Sequence, residues 1–153
     1  MNAITRKIEL KLSAEKAFEK FIFEFNNWWP KEYTWSQGKL REIKIDGRKG
    51  GLCTEIGPHG FRCDWGRITK FTENEHLQLK WQIGPNREPI PNPKNASDIR
   101  IKFNDNGESE TTLEFEHFNF DNHGDGGEDY KKMMNGKQGW DYILSRYQKY
   151  CVD

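Results

Sequence analysis

Few side chains in this sequence are placed to do chemistry. His117 closes the apolar strand pattern Leu113, Phe115, His117 and takes its inward parity, where an imidazole can meet a ligand or move a proton. Its competing role is that of a satisfied core or rim residue. Lys137 falls in the apolar stripe of the last helical segment. It can snorkel to a pocket mouth, pair with an acid or meet an anionic head group. With Arg67, these make a thin set for catalysis, which needs two or more polar groups converging on one point. No serine or cysteine nucleophile arrangement is discernible. Cys53, His59 and Cys63 do not have zinc spacing. Asp121-Asn122-His123-Gly124-Asp125-Gly126 resembles a calcium loop only faintly: its third position is His and its twelfth, Lys132, is not the required Glu. Lys49-Gly50-Gly51 is a turn between strands, with no Gly-Lys-Ser/Thr leading into a helix. No metal and no cofactor are therefore expected.

Aromatic surface is what the chain has in quantity. Aromatic residues are 14% of a sequence only 34% hydrophobic, so the core must be built from few, large side chains. Two of the six tryptophans stand together in Phe25-Asn26-Asn27-Trp28-Trp29-Pro30, where two Asn and a Pro predict the end of a helix.

The elements that would position these groups read clearly. Ile4, Ile8, Leu10 and Leu12 share one parity, which predicts a half-buried strand. Ser13 then reads as an N-cap, and Ala14, Ala17, Phe18, Phe21, Ile22 and Phe25 follow at helical spacing. Strands are predicted over 39–46, 52–56, 61–71 and 77–83, with further alternation through Ile99, Ile101, Phe103 and through 112–117. Pairing Ile56 with Phe61 and Thr54 with Cys63 would gather the apolar side chains on one face and place Glu55, Arg62 and Asp64 on the other. Gly84–Ser97, with four prolines, and 118–127 are loops. From Glu128 the period is helical through Tyr130, Met133, Met134, Lys137, Trp140, Leu144 and Tyr147, with Gly136 and Gly139 inside the helix. Each such glycine costs about 1 kcal/mol against alanine, which points to a close approach to the sheet or to space occupied by something else. The order predicts an α+β domain: one antiparallel sheet with a single covered face, and a long C-terminal helix over it.

The bulk properties narrow the function. At 153 residues the chain is read as one domain, 1–153. Lys+Arg and Asp+Glu number 24 each, without the basic excess of a nucleic-acid binder. No stretch resembles a signal peptide or a membrane span, so a cytoplasmic protein with no membrane partner is expected. Cys53, Cys63 and Cys151 lack disulfide or CxxC spacing and read as reduced thiols.

Several short stretches, in order, resemble the helix-grip fold of the START/Bet v 1-like (SRPBCC) superfamily. They are Ser13–Phe18, Trp28-Trp29-Pro30, Gly50-Gly51, Trp65-Gly66-Arg67-Ile68, Leu79-Lys80-Trp81, Thr112–Phe118, and Gly139-Trp140 with Leu144. Within that superfamily the chain is similar to bacterial single-domain proteins like the C-terminal domain of the heat-shock protein 90 ATPase activator. The resemblance implies a curved antiparallel sheet of about seven strands wrapped on the C-terminal helix, with two short helices after strand one. It also implies a cavity between sheet and helix that holds an apolar small molecule, lipid-like or polycyclic. The residues expected to line it are Trp28, Trp29, Ile45, Cys63, Trp65, Trp81, Phe103, Phe115, His117, Met133, Met134, Lys137 and Trp140, with the opening between the Trp28-Trp29 corner and the last helix. A protein-interaction module with a chaperone or other protein as partner is the alternative, and a cyclase- or hydratase-like enzyme the second. The protein is expected to be a monomer or weak homodimer.

Overall fold

The structure, a computed structural model, describes residues 3–152. Residues 1, 2 and 153 of the expected domain lie outside them. Strand β1 (Ile4–Leu10) buries Ile4, Ile8 and Leu10. The Ser13 hydroxyl then accepts the Lys16 N–H at 3.2 Å, supplying one of the four amide donors' missing partners at the start of α1 (Ala14–Ile22). Helix α1 ends at Ile22, and Asn26 and Asn27 lie within a separate turn, α2 (Phe25–Trp28). The asparagines therefore do not end the first helix. Their side chains are engaged elsewhere: Asn26 Oδ1 accepts the Ile43 N–H, and Asn27 Nδ2 donates to the Tyr150 hydroxyl, each at 2.9 Å. So occupied, they do not compete for their own backbone. Trp29 is extended (ψ 133°), as a residue before proline must be, and it ends the turn.

Six more strands complete the sheet: β2 (Glu42–Ile45), β3 (Leu52–Ile56), β4 (Arg62–Thr72), β5 (His76–Trp81), β6 (Ser97–Gly107) and β7 (Glu110–Phe118). All pairings are antiparallel, in the order β1-β7-β6-β5-β4-β3-β2, and the sheet curls into a half-barrel. Alternation works as expected on the long strands: Leu77, Leu79, Ile99, Ile101, Phe103, Leu113 and Phe115 are buried on the concave face. Two helices cover that face. Phe18 meets Phe103 at 5.3 Å, Tyr147 meets Phe21 at 4.9 Å, and Trp140 meets Phe115 at 4.5 Å between ring centres. No helix among the described residues is long and apolar enough to cross a membrane.

Two local expectations are corrected. The expected long helix from Glu128 is two helices, α3 (Gly127–Met134) and α4 (Trp140–Val152), so Gly136 and Gly139 lie in a break. A Cβ on Gly139 would stand 2.2 Å from the Met134 carbonyl oxygen, so the chain can fold back there only with glycine. Arg6, at the inward parity of β1, ties the break down by donating to Asn135 O, Asn135 Oδ1 and Asp141 Oδ1.

The β3–β4 hairpin is shifted by one residue: Ile56 pairs with Arg62, Glu55 with Cys63 and Thr54 with Asp64. Left-handed His59 and Gly60 lengthen the turn, and a bulge at Cys53/Thr54 moves the pairing one residue further, so that Cys53 pairs with Gly66 and Leu52 with Arg67. Cys53, Thr54 and Glu55 are consequently all buried, and Glu55 does not face solvent.

Candidate ligand-binding pocket

The two covering helices leave part of the concave face to a pocket of about 250 Å³. Three of its four tryptophans form the walls: Trp29 after α2, Trp65 on β4 and Trp81 on β5. Trp29 and Trp65 stack at 6.1 Å and 16°, and Trp81 meets Trp65 edge-on at 5.9 Å. Ile43 and Ile143 add aliphatic wall, and Tyr130, Met133 and Met134 of α3 close one side, with Gln138 and Gly139 of the break. Tyr130 is fixed by its neighbours: its hydroxyl accepts the Trp81 indole N–H at 2.7 Å and donates to Ile83 O at 2.8 Å. Burial pushes its phenol well above the ordinary range.

The rim is formed by Tyr33, Thr34 and Trp35 on one side and Ile83, Gly84, Pro85 and Arg87 on the other. Trp35 Nε1 donates to Arg87 O at 2.7 Å and so ties the two sides together. Glu55 holds the Trp35 segment from below. Its Oε1 accepts the Trp35 N–H at 3.1 Å and its Oε2 the Ser36 N–H at 2.7 Å. These bonds explain how a carboxylate is tolerated at 1% exposure.

Of the residues expected to line a cavity, the structure brings Trp29, Trp65, Trp81, Met133 and Met134 together here. The others lie elsewhere. Trp28 is packed among Phe21, Phe25 and Tyr147, so the opening is not between a Trp28-Trp29 corner and the last helix. Phe103 and Phe115 lie beneath α1 and α4, and Ile45 pairs with Cys53 near the sheet edge. Cys63 is half-buried, its thiol pushed up by burial. Lys137 is exposed in the helix break, because the helix that would have carried it inward is interrupted. Trp140 and His117 stand behind Trp81, at 5.5 and 5.9 Å. The lining residues that sequence reasoning missed are Tyr130 and Ile143, on helices, and Tyr33, Thr34, Trp35, Glu55, Ile83–Pro85, Arg87 and Gln138, most of which lie in segments without periodicity. The aromatic pair in Tyr33-Thr34-Trp35 was the available signal.

His117 is a buried strut. The Trp140 indole can only donate, so its 3.0 Å contact makes His117 Nδ1 an acceptor and puts the proton on Nε2. That proton goes to Ser97 Oγ at 2.7 Å, and the Ser97 hydroxyl donates onward to His123 Nε2 at 2.8 Å. Burial, and secondarily His123, hold the His117 pKa well below 6.5; burial also lowers that of His123. The unfolded chain takes up these protons near pH 6.5, and the folded one only at lower pH. Stability is therefore unaffected by the two imidazoles above about pH 6.5 and declines as pH falls below it, by up to ~1.4 kcal/mol per pH unit for each. Urea midpoints measured from neutral to mildly acid pH are expected to show this decline, shallower in His123→Gln. An equal slope in both proteins would contradict it.

No group of three or more His, Cys, Asp or Glu among the described residues is placed to hold a metal ion. Cys53, Cys63 and Cys151 are free thiols.

Comparison with known proteins agrees with this architecture. The family model described as Activator of Hsp90 ATPase homolog 1-like protein matches residues 11–151. Among solved structures, an anthrahydroquino-gamma-pyrone synthase is 25% identical with a TM-score of 0.68, covering 97% of this chain and 96% of its own. CalC, a self-sacrificing resistance protein from Micromonospora echinospora, is 24% identical with a TM-score of 0.66, over 98% of this chain and 94% of its own. The Aha1 dimer from Colwellia psychrerythraea is 19% identical with a TM-score of 0.63, over 97% of this chain and 94% of its own. No curated protein matches the chain.

Proposed function

The chain belongs to the family of Activator of Hsp90 ATPase homolog 1-like proteins, and from that premise we propose that it is a binding protein for an apolar, planar aromatic small molecule. One observation carries the reading: a pocket of about 250 Å³ walled by Trp29, Trp65 and Trp81 and rimmed by Trp35. An apolar protein cavity of about 150 Å³ already holds benzene, so this one has room for fused rings. It is too small for a two-chain lipid. Aromatic walls favour flat ligands through offset and edge-to-face contacts, and Met133 and Met134 supply an adaptable side. The 25%-identical synthase is named for a fused-ring product, which supports a polycyclic ligand over a lipid-like one. Calorimetric titration tests the proposal. Saturable binding of naphthalene and none of palmitate is the expected result; no saturable binding of naphthalene counts against it.

The family's name favours a second reading, interaction with a chaperone of the heat-shock 90 class. That reading predicts stimulated chaperone ATPase activity on adding the protein, and an unchanged rate would refute it. A cyclase-like enzyme has one carboxylate in the pocket to work with, Glu55, because His117 does not line it.

A further inference from the structure

The charged side chains of the pocket differ in what they can offer a ligand. Glu55 is buried beneath the Trp35 segment, and both its oxygens are turned to backbone N–H groups. Its carboxylate would repel a second negative charge placed deep in the pocket. Arg87 stands at the mouth. Among the described residues it is the one Lys or Arg that lines the pocket, and it is exposed.

Arg87 reaches across the mouth rather than away from it. Its carbonyl accepts the Trp35 indole N–H at 2.7 Å, and its Nη2 lies 3.5 Å from the Glu32 carbonyl oxygen. Both partners belong to the opposite side, where Tyr33 stands between them in sequence. The charge is felt there: burial, then Tyr142 and Glu32, raise the Tyr33 phenol pKa, and the Arg87 guanidinium opposes them. The loop fixes the residue. The Gly84 N–H donates to Glu88 O at 2.7 Å and the Arg87 N–H to Gly84 O at 3.0 Å. Arg87 itself is left-handed, at φ 64°. Glycine fits that conformation better, so what arginine adds is its side chain.

That side chain is under-used. A guanidinium has five N–H donors. Among the described residues this one makes a single contact, at the outer limit of a hydrogen bond, and forms no ion pair. The neighbouring carboxylates are engaged elsewhere: Glu32 with Tyr142 and Arg146, and Glu88 with the Asn86 N–H.

We infer that the ligand is a planar aromatic acid, with its rings against Trp29, Trp65 and Trp81 and its carboxylate at the mouth on Arg87. A guanidinium meets a carboxylate with two parallel N–H···O bonds, and the exposed rim lets the anion keep part of its water. The inference rests on the aromatic-ligand reading above and adds the ligand's charge and its orientation, rings inward and acid outward.

Calorimetric titration of the full chain at neutral pH and low ionic strength tests it with three probes: 2-naphthoate, its neutral isostere 2-naphthamide, and naphthalene. The unaltered protein is expected to bind 2-naphthoate about fivefold tighter than 2-naphthamide, the upper end for an ion pair open to solvent. Arg87→Gln is expected to abolish that preference. A further measurement needs no variant: added salt should erode the preference for the acid and not weaken naphthalene binding. Where naphthalene binds, three results overturn the inference and leave the aromatic-ligand reading intact: equal affinity for acid and amide in the unaltered protein, a preference that persists in Arg87→Gln, or one indifferent to salt. Failure of all three probes to bind overturns the two together.

Discussion

Trp28→Ala is expected to destabilise the protein by about 3–5 kcal/mol, the cost of emptying a large aromatic site in a packed core. Trp28 is 1% exposed, and its ring lies 4.9–5.7 Å from those of Phe21, Phe25, Trp29 and Tyr147. It also acts on the backbone. Its Nε1 donates to Lys20 O at 3.1 Å and Phe21 O at 3.3 Å, carbonyls of the last turn of α1 that have no partner within the helix. Trp28 thus caps the helix that packs on the sheet, and its removal loses both packing and cap. Trp35, half-buried at the rim, is the contrast: Trp35→Ala is expected to cost about 1 kcal/mol. Urea unfolding of the two variants measures the difference. Similar midpoints would mean that Trp28 is not the structural member of the tryptophan set.

The second large effect is on binding. Met134 lines the pocket from α3 and is half-buried, so a larger ring there fills ligand space without entering the packed layer under α4. Met134→Trp is expected to weaken naphthalene binding by up to about 100-fold, the equivalent of a ~1–3 kcal/mol overpacking cost, while stability changes by about 1 kcal/mol or less. Lys137→Ala is the control. Lys137 is exposed and does not line the pocket, so binding should be unchanged. A strong loss there, with Met134→Trp binding normally, would move the ligand to the other side of the helix break.

What could be read from the sequence follows from where periodicity applies. The long strands announce themselves because one face is buried and the other wet, as in Leu77, Leu79, Trp81 against Gln78, Lys80. Ser13 is legible because a cap is a local hydrogen bond. The β3–β4 register is not, because a bulge and two left-handed residues shift the pairing, and no alternation rule counts those in advance. Glu55 is hidden for the same reason: its burial depends on two amides 20 and 19 residues away in sequence. The break at Gly136–Gly139 is foreshadowed by its glycines, but helical spacing continues across it by coincidence, and so Lys137 reads as inward. The pocket rim sits in Tyr33–Trp35 and Ile83–Arg87, where position is set by tertiary contacts such as Trp35 to Arg87. The two adjacent tryptophans show the limit most plainly. Residue type makes Trp28 and Trp29 alike, and only the fold sends the first to cap a helix and the second to wall a pocket.

The six tryptophans also provide the decisive measurement. Their indole N–H resonances can be followed individually in a nitrogen–proton correlation spectrum while naphthalene is titrated in. Trp29, Trp35, Trp65 and Trp81 line the pocket, whereas Trp28 donates to α1 and Trp140 to His117. Ring currents from a bound aromatic act over a few ångströms, so the first four resonances should shift saturably and together, and the last two should stay nearly fixed. Six unmoved resonances, or shifts confined to Trp28 and Trp140, would contradict a ligand held in this pocket.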